Sequence, residues 1–293
     1  MNHLTICGLY PDAAADTLPR VFREPVMFGR LLVAAVEHMR HGAIYFQPDF
    51  FRPDDILLAS YPRSGNHLAR FALLCGRCLS ETGDLPADLS GMARIPGVHG
   101  QRIGSADARP RILKTHYPFD PRAPRVIHLI RDPRDVLVSY FHYVQNLPHL
   151  FMPPSSPTDR LSDFADAFMA GHVWPGEVAA HTRSFEDRAP QRLCIRYEDL
   201  LNDPETQFGR MLAYVGIQLA APDLRRIAAH CSFENMARLH DPATARRGGV
   251  STRREMILRK GRAGGHRADL PPDVHARVTE HYRRYLLDHG YEP

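Results

Sequence analysis

The sequence predicts an α/β fold with a central parallel sheet flanked by helices. Four short apolar runs, at 56–60, 111–115, 126–130 and 193–196, are each followed by polar residues and then by a helical pattern. That alternation is the signature of parallel strands joined by crossover helices. Cationic, titratable and small residues gather where these runs end, at the sheet edge where open parallel sheets bind their ligands. The chain is also long enough for a large core: 293 residues, 44% hydrophobic and 24% charged, a composition that excludes a disordered tail or a fibre.

The elements follow in order. After the first run, Leu68, Phe71, Ala72, Cys75, Cys78 and Leu79 recur at helical spacing, so one face of a helix packs on the sheet. After the third run, Asp132 is placed to cap a helix with Pro133 at its first position and Asp135 three residues beyond the cap, and Val136, Leu137 and Tyr140 continue the face. Residues 148–157 hold four prolines and two serines and read as a loop. Residues 241–265, rich in Arg and Gly, read as a mobile lid. No repeat and no domain boundary is visible, so 1–293 reads as one domain, with the chemistry in 54–293 and an N-terminal extension in 1–53.

Charge and cysteine usage narrow the partners. Basic residues number 37 against 33 acidic ones, for a net +4 and a pI near 8.9, which favours a small polyanion over a nucleic-acid coat. Arg246, Arg247, Arg253 and Arg254 form a basic patch without interleaved aromatics, so no nucleic-acid partner is expected. Five cysteines are too few and too scattered for a disulfide framework, which points to a reducing, cytoplasmic location. The start of the chain lacks a signal-peptide pattern. Residues 26–46 are interrupted by Arg30, Glu37, His38, Arg40 and His41, so they read as an amphipathic surface helix and no membrane partner is expected. Cys75 and Cys78 lie inside an apolar helix and read as packing, and His38 and His41 lack a carboxylate-flanked motif; no metal is expected.

The first run ends in Tyr61-Pro62-Arg63-Ser64-Gly65-Asn66-His67. Gly65 permits a tight loop, Ser64 and Asn66 bring side-chain donors, and Arg63 adds a cation at the mouth of a helix, which together make an anion cradle. The loop lacks the spacing of an ATP-type phosphate loop. The second run ends at Lys114-Thr115-His116, the third at Arg131 and the fourth at Tyr197. Each has a plain alternative, as a solvated strand-end charge, a structural histidine or a core aromatic. Their joint placement at one sheet edge favours a site.

These residues carry a resemblance. The stretch from Tyr61 to Asn66 resembles the 5′-phosphosulfate loop of sulfotransferases that use 3′-phosphoadenosine 5′-phosphosulfate (PAPS), and Arg131-Asp132-Pro133-Arg134-Asp135 through Ser139-Tyr140-Phe141-His142 resembles their 3′-phosphate motif. Lys114-Thr115-His116 is similar to the segment bearing the family's catalytic histidine, and Arg259-Lys260-Gly261 followed by Gly264-Gly265 to the late motif that closes over the donor. Arg196 to Leu200 with Asn202-Asp203-Pro204 is similar to the adenine-side segment, and Ser232-Phe233 falls where another adenine contact is expected. The resemblance implies a P-loop NTPase-like sulfotransferase fold and sulfuryl transfer from PAPS to a hydroxyl or amine of a small-molecule acceptor, leaving adenosine 3′,5′-bisphosphate (PAP). It implies His116 as general base, Lys114 and Arg63 on the transferring and leaving oxygens, and Ser64, Gly65, Asn66, His67, Arg131, Ser139, Tyr197, Phe233, Arg259, Lys260 and Gly261 around the donor, with no metal.

The chain departs from the family at Leu68 and His266, where tryptophan is usual, so adenine stacking falls to another residue such as Phe233. A dimerisation pattern present in some animal members is absent after Arg267, and oligomeric state is not implied. The alternatives are a nucleotide-dependent kinase, disfavoured by the loop spacing, and a non-catalytic nucleotide-binding protein. One further feature belongs to this sequence alone: of 37 basic residues, two are lysine, Lys114 and Lys260, and both fall in these motifs. Both positions are expected to need a compact point charge where a planar guanidinium would not fit.

Overall fold

The computed structural model describes residues 49–98, 109–145, 160–240 and 260–293. The helix read at 26–46, the loop at 148–157, residues 241–259 of the lid and with them Arg259 lie outside the described residues.

Four strands, β1 (Ile56–Ser60), β2 (Ile112–Thr115), β3 (Arg125–Ile130) and β4 (Arg192–Arg196), form a parallel sheet in the order β2-β1-β3-β4. Each matches its apolar run to within one residue. The chain leaves β1 for β2 on one side and returns to β3 on the other, so the connections diverge between β1 and β3 and open a crevice beyond their carboxyl ends. Ala59 is in register with Thr115 on one flank and His128 on the other, which sets the loops after β1, β2 and β3 around one opening.

Strand period sorts the core. Ile56 and Leu58, with Ile127 and Leu129, face α1 (Asn66–Thr82) and the helices behind it, α6 (Pro204–Tyr214), α7 (Ala221–His230) and α8 (Phe233–Leu239). Leu57, Ala59, Leu113 and Val126 face the opposite way, onto Phe50, Phe119 and Phe185. Gly76 lets α1 close on α6, because a Cβ there would sit 2.1 Å from a Leu212 methyl. A third cluster joins α2 (Pro133–Val144), α3 (Leu161–Met169), α10 (Pro272–His281) and α11 (Arg283–Asp288) through Val136, Tyr140, Phe164, Phe168, Val278 and Leu286. Burying each such side chain stabilises the fold by about 1.5–3 kcal/mol. Between these lie α4 (Val178–Glu186), α5 (Tyr197–Asn202) and α9 (His266–Asp269).

Local signals behave as the sequence suggests. The Asp132 side chain accepts from the Arg134 amide and Pro133 opens α2. Asp135, though at a capping spacing, reaches a distant loop instead, as described below. Cys75, Cys78, Cys194 and Cys231 are free thiols, and Cys75 is buried in α1. Among the described residues no helix is long and apolar enough to cross a membrane.

Candidate functional site

The loop after β1 forms one wall of the crevice. Gly65 precedes α1 with φ +91° and no side chain caps the helix, so the first amides of a seventeen-residue helix point into the opening with their partial positive charge. Glycine is required twice over, for its left-handed backbone and because a Cβ would lie 2.4 Å from Cδ2 of Tyr197. Arg63 is also left-handed, at φ +70°, a conformation that costs a non-glycine residue about 1 kcal/mol or more. Its Nε donates to Ser139 Oγ at 3.1 Å and its guanidinium lies 4.9 Å from the centre of the Tyr143 ring. Ser64 is buried.

Asn66 departs from the expectation of a ligand-facing side chain. Its Nδ2 donates to the Leu58 carbonyl at 3.2 Å and to Ser60 Oγ at 3.1 Å, so the amide turns inward and ties α1 to β1. What this residue offers an anion is its backbone N–H. His67 is set deep beside His240, ring centres 4.8 Å apart, and its Nε2 is buried with no hydrogen-bond partner. Burial, then the positive groups of His240, Arg70, Lys114 and Arg63, push its pKa well below the ordinary imidazole value.

Arg131, at the end of β3, organises the opposite corner. Its Nη1 donates to the Arg63 carbonyl at 3.0 Å and its Nη2 to the Arg262 carbonyl at 3.2 Å, while Asp135 approaches at 3.6 Å. The guanidinium lies 4.2 Å from the centre of the Tyr197 ring, and its Nε is buried without a partner. Asp135 then accepts from the Gly264 and His266 amides at 2.7 and 2.9 Å. The last part of the stretch read as a lid is thereby docked on α2. Gly261 lies here at φ +59°, where a Cβ would be 2.0 Å from Cδ2 of Phe233, so the two predicted donor residues form one contact. Lys260 faces outward, its Nζ 2.6 Å from Asp269 in a partly exposed pair.

The third corner follows β2. His116 Nδ1 lies 2.8 Å from the Ser60 carbonyl and 3.3 Å from Ser60 Oγ. A carbonyl can only accept, so Nδ1 donates and the bond fixes the orientation of the ring. Trp174 meets the ring edge-on at 6.1 Å and meets Tyr117 at 6.0 Å. Lys114 is partly exposed, and no carboxylate among the described residues pairs with it. Desolvation, reinforced by Arg70, lowers its pKa to about 7. Arg70, held by the Met92 carbonyl at 2.5 Å, is itself pulled down to about 10 by burial.

The crevice thus brings together Arg63, Ser64, Gly65, Asn66, His67, Lys114, His116, Arg131, Ser139 and Tyr197, with Phe233 and Gly261 at its rim. Sequence reasoning missed Arg70, although its position three residues after His67 on one helix was a usable signal. It also missed Asp135 as the anchor of the late loop and His181 behind the His116 turn; each joins segments far apart in sequence. Among the described residues no group of three or more His, Cys, Asp or Glu is arranged to hold a metal.

A family model for the sulfotransferase domain matches residues 53–290. Sulfotransferase 1E1 of Rattus norvegicus is 26% identical over 260 residues, covering 81% of this chain and 85% of its own, and human sulfotransferase 1C2 is 24% identical over 257 residues, covering 80% and 84%. Among solved structures, mouse sulfotransferase SULT7A1 complexed with PAP superposes with a TM-score of 0.64 at 22% identity, covering 87% of this chain and 90% of that one. Retinol dehydratase in a complex with retinol and PAP gives 0.65 at 21% identity, covering 85% of each chain.

Proposed function

Since the chain belongs to the sulfotransferase family and is a transferase that takes its sulfuryl group from PAPS, we propose how its residues divide the work and which acceptors it serves. The donor supplies a sulfuryl group on a phosphate leaving group, so the protein must hold two phosphates, stabilise charge on the transferring and leaving oxygens, and remove one proton from the acceptor.

The crevice residues fit a doubly phosphorylated nucleotide. The uncapped α1 amides, with Ser64, Gly65, Asn66 and His67, take the 5′ side. Arg131 and Ser139 take the 3′-phosphate, and Arg259, Lys260 and Gly261 close over it; for Lys260 this requires release from Asp269. Tyr197 and Phe233 flank the base in place of the missing tryptophan. His116 Nε2 accepts the proton of the acceptor's O–H or N–H, and Lys114 and Arg63 hold the oxygens where charge develops. The observation that carries this reading is the convergence at one sheet edge of the uncapped N-terminus of α1, Lys114 without a carboxylate partner among the described residues, and Arg131 with an Nε that has no hydrogen-bond partner.

The acceptor is proposed to be a small molecule with an apolar part, because Trp174 and Tyr117 line the approach to His116 with aromatic surface. Residues 1–293 are proposed to work as one unit in the cytoplasm, in keeping with the free thiols, and without a nucleic-acid partner.

Thermal melting tests the donor assignment. PAP should raise the melting temperature well beyond adenosine 5′-monophosphate or ATP, since a ligand that binds the folded state stabilises it. Arg131→Ala should remove most of the difference, because charge-assisted bonds to phosphate are worth about 1.5–3 kcal/mol each. Equal shifts for all three nucleotides would refute the assignment of Arg131 to the 3′-phosphate.

A further inference from the structure

We infer that His181 is a positioning residue for His116, and this rests on the reading of His116 as the general base. His181 lies in the second turn of α4, 65 residues from His116, and is 2% exposed. Its ring packs edge-on against Tyr61 at 5.4 Å and touches His128 and Phe185 at 6.3 and 5.3 Å. Its Nε2 is 3.1 Å from the His116 carbonyl.

The chemistry of that contact is fixed by its acceptor. A carbonyl cannot donate, so Nε2 must carry the proton and Nδ1 the lone pair. Nδ1 is buried with no donor or acceptor beside it, so a second proton would have nowhere to go. Desolvation accordingly lowers the pKa to about 4, against smaller raising effects from the His116 and Tyr117 backbone. His181 is therefore a permanently neutral single donor at neutral pH.

The place of the contact gives it its consequence. The register of β1 with β2 ends at Ala59 and Thr115, so His116 lies one residue beyond the sheet ladder. Its ring is tied to β1 through Nδ1 and the Ser60 carbonyl, and its peptide is tied to α4 through His181. A second bond from the same helix holds the far side of the turn: Ser184 Oγ accepts from the Phe119 amide at 2.9 Å and donates to the His181 carbonyl at 2.6 Å. Helix α4 therefore clamps the turn that carries the base, and His181 grips the residue itself. Displacing a reacting group by about 1 Å costs on the order of a hundredfold in rate, so the loss of this bond should be felt in catalysis before it is felt in donor binding.

The test compares His181→Leu, His181→Gln and His116→Gln in the full-length protein. His181→Leu removes the donor while filling the buried site, and should lower kcat by about 10- to 100-fold with the PAP-induced melting shift unchanged. His181→Gln can present an amide N–H near the position of Nε2 and should recover most of the rate. In a His116→Gln background, His181→Leu should cost nothing more, because the two residues act through one base. Wild-type kcat in His181→Leu overturns the proposal, as does no recovery in His181→Gln or a full additional loss in the double variant. Loss of the PAP shift together with the rate would assign His181 a general structural role and overturn it too. If His116→Gln alone retains its rate, the base assignment fails, and that outcome is distinct from a failure at His181.

Discussion

The corner around Arg131 and the corner around Lys114 both present cations to one crevice, yet they are built in opposite ways. Arg131 is surrounded by acceptors: Asp135, two backbone carbonyls and the face of Tyr197 hold it in one place. Lys114 is partly exposed yet desolvated, with a second cation in Arg70 nearby and no carboxylate partner among the described residues. The first corner is a planar fork that the protein's own partners hold in position. The second stores unfavourable desolvation that an anion relieves. A doubly charged donor can therefore be held by one end and activated at the other, since charge without a counter-ion responds most to charge that develops during reaction.

The largest expected effect breaks the transfer corner outright. His116→Gln should lower kcat by about 10² to 10⁴, the range general base catalysis contributes, and leave PAP affinity within about threefold. Steady-state kinetics with titration calorimetry reads both; turnover near wild type would place the base elsewhere.

Next in size is the loop that docks beside Arg131. Gly261→Ala introduces a Cβ into the Phe233 ring and at φ +59°, so the loop must lift or the ring must move. PAP affinity should fall about tenfold or more, with kcat at saturating donor reduced less than the affinity. Unchanged affinity would detach this loop from the donor.

A smaller effect, but a more telling one, is the pH dependence of binding. With Lys114 near pKa 7 in the free protein, an anion binds the charged form already present below about pH 7 and must draw in a proton above it. PAP affinity should therefore weaken by up to about tenfold per pH unit above 7, until the raised pKa of the complex is passed. In the ligand-free protein the same depression makes stability rise from about pH 7 toward the ordinary lysine value near 10.5, because the unfolded chain binds the proton the folded chain has lost. Lys114→Arg should flatten both slopes, as measured by calorimetry and melting across pH 6.5–9. Unaltered slopes would show that the crevice draws its proton elsewhere.

The smallest effect is expected at the other lysine. Lys260 sits in a partly exposed pair with Asp269, of the kind worth about 0–1 kcal/mol, and arginine can keep that pair. Lys260→Arg should change the Kd for PAP by less than about threefold. A defect as large as that of Lys114→Arg would mean that the 3′-phosphate site needs the compact ammonium of Lys260, which a guanidinium does not replace.

Much of the fold was legible in the chain's local patterns. Four strands emerged to within one residue because apolar runs flanked by polar turns leave little choice of period, and the Asp132-Pro133 start of α2 followed from capping chemistry alone. The site edge was legible because parallel strands bring their carboxyl ends together, so Gly65, Lys114, His116, Arg131 and Tyr197 had to meet whatever the intervening helices did. Tertiary structure decided what no local pattern encodes. It turned Asn66 inward onto Leu58 and Ser60, sent Asp135 to the amides of Gly264 and His266, set His181 behind His116, and gave Lys260 a carboxylate where Lys114 has none among the described residues. Each of these is a hydrogen bond or a charge balance between segments remote in sequence. The strand and helix periods fix which face a residue occupies; the partner waiting on that face is fixed by how the layers close.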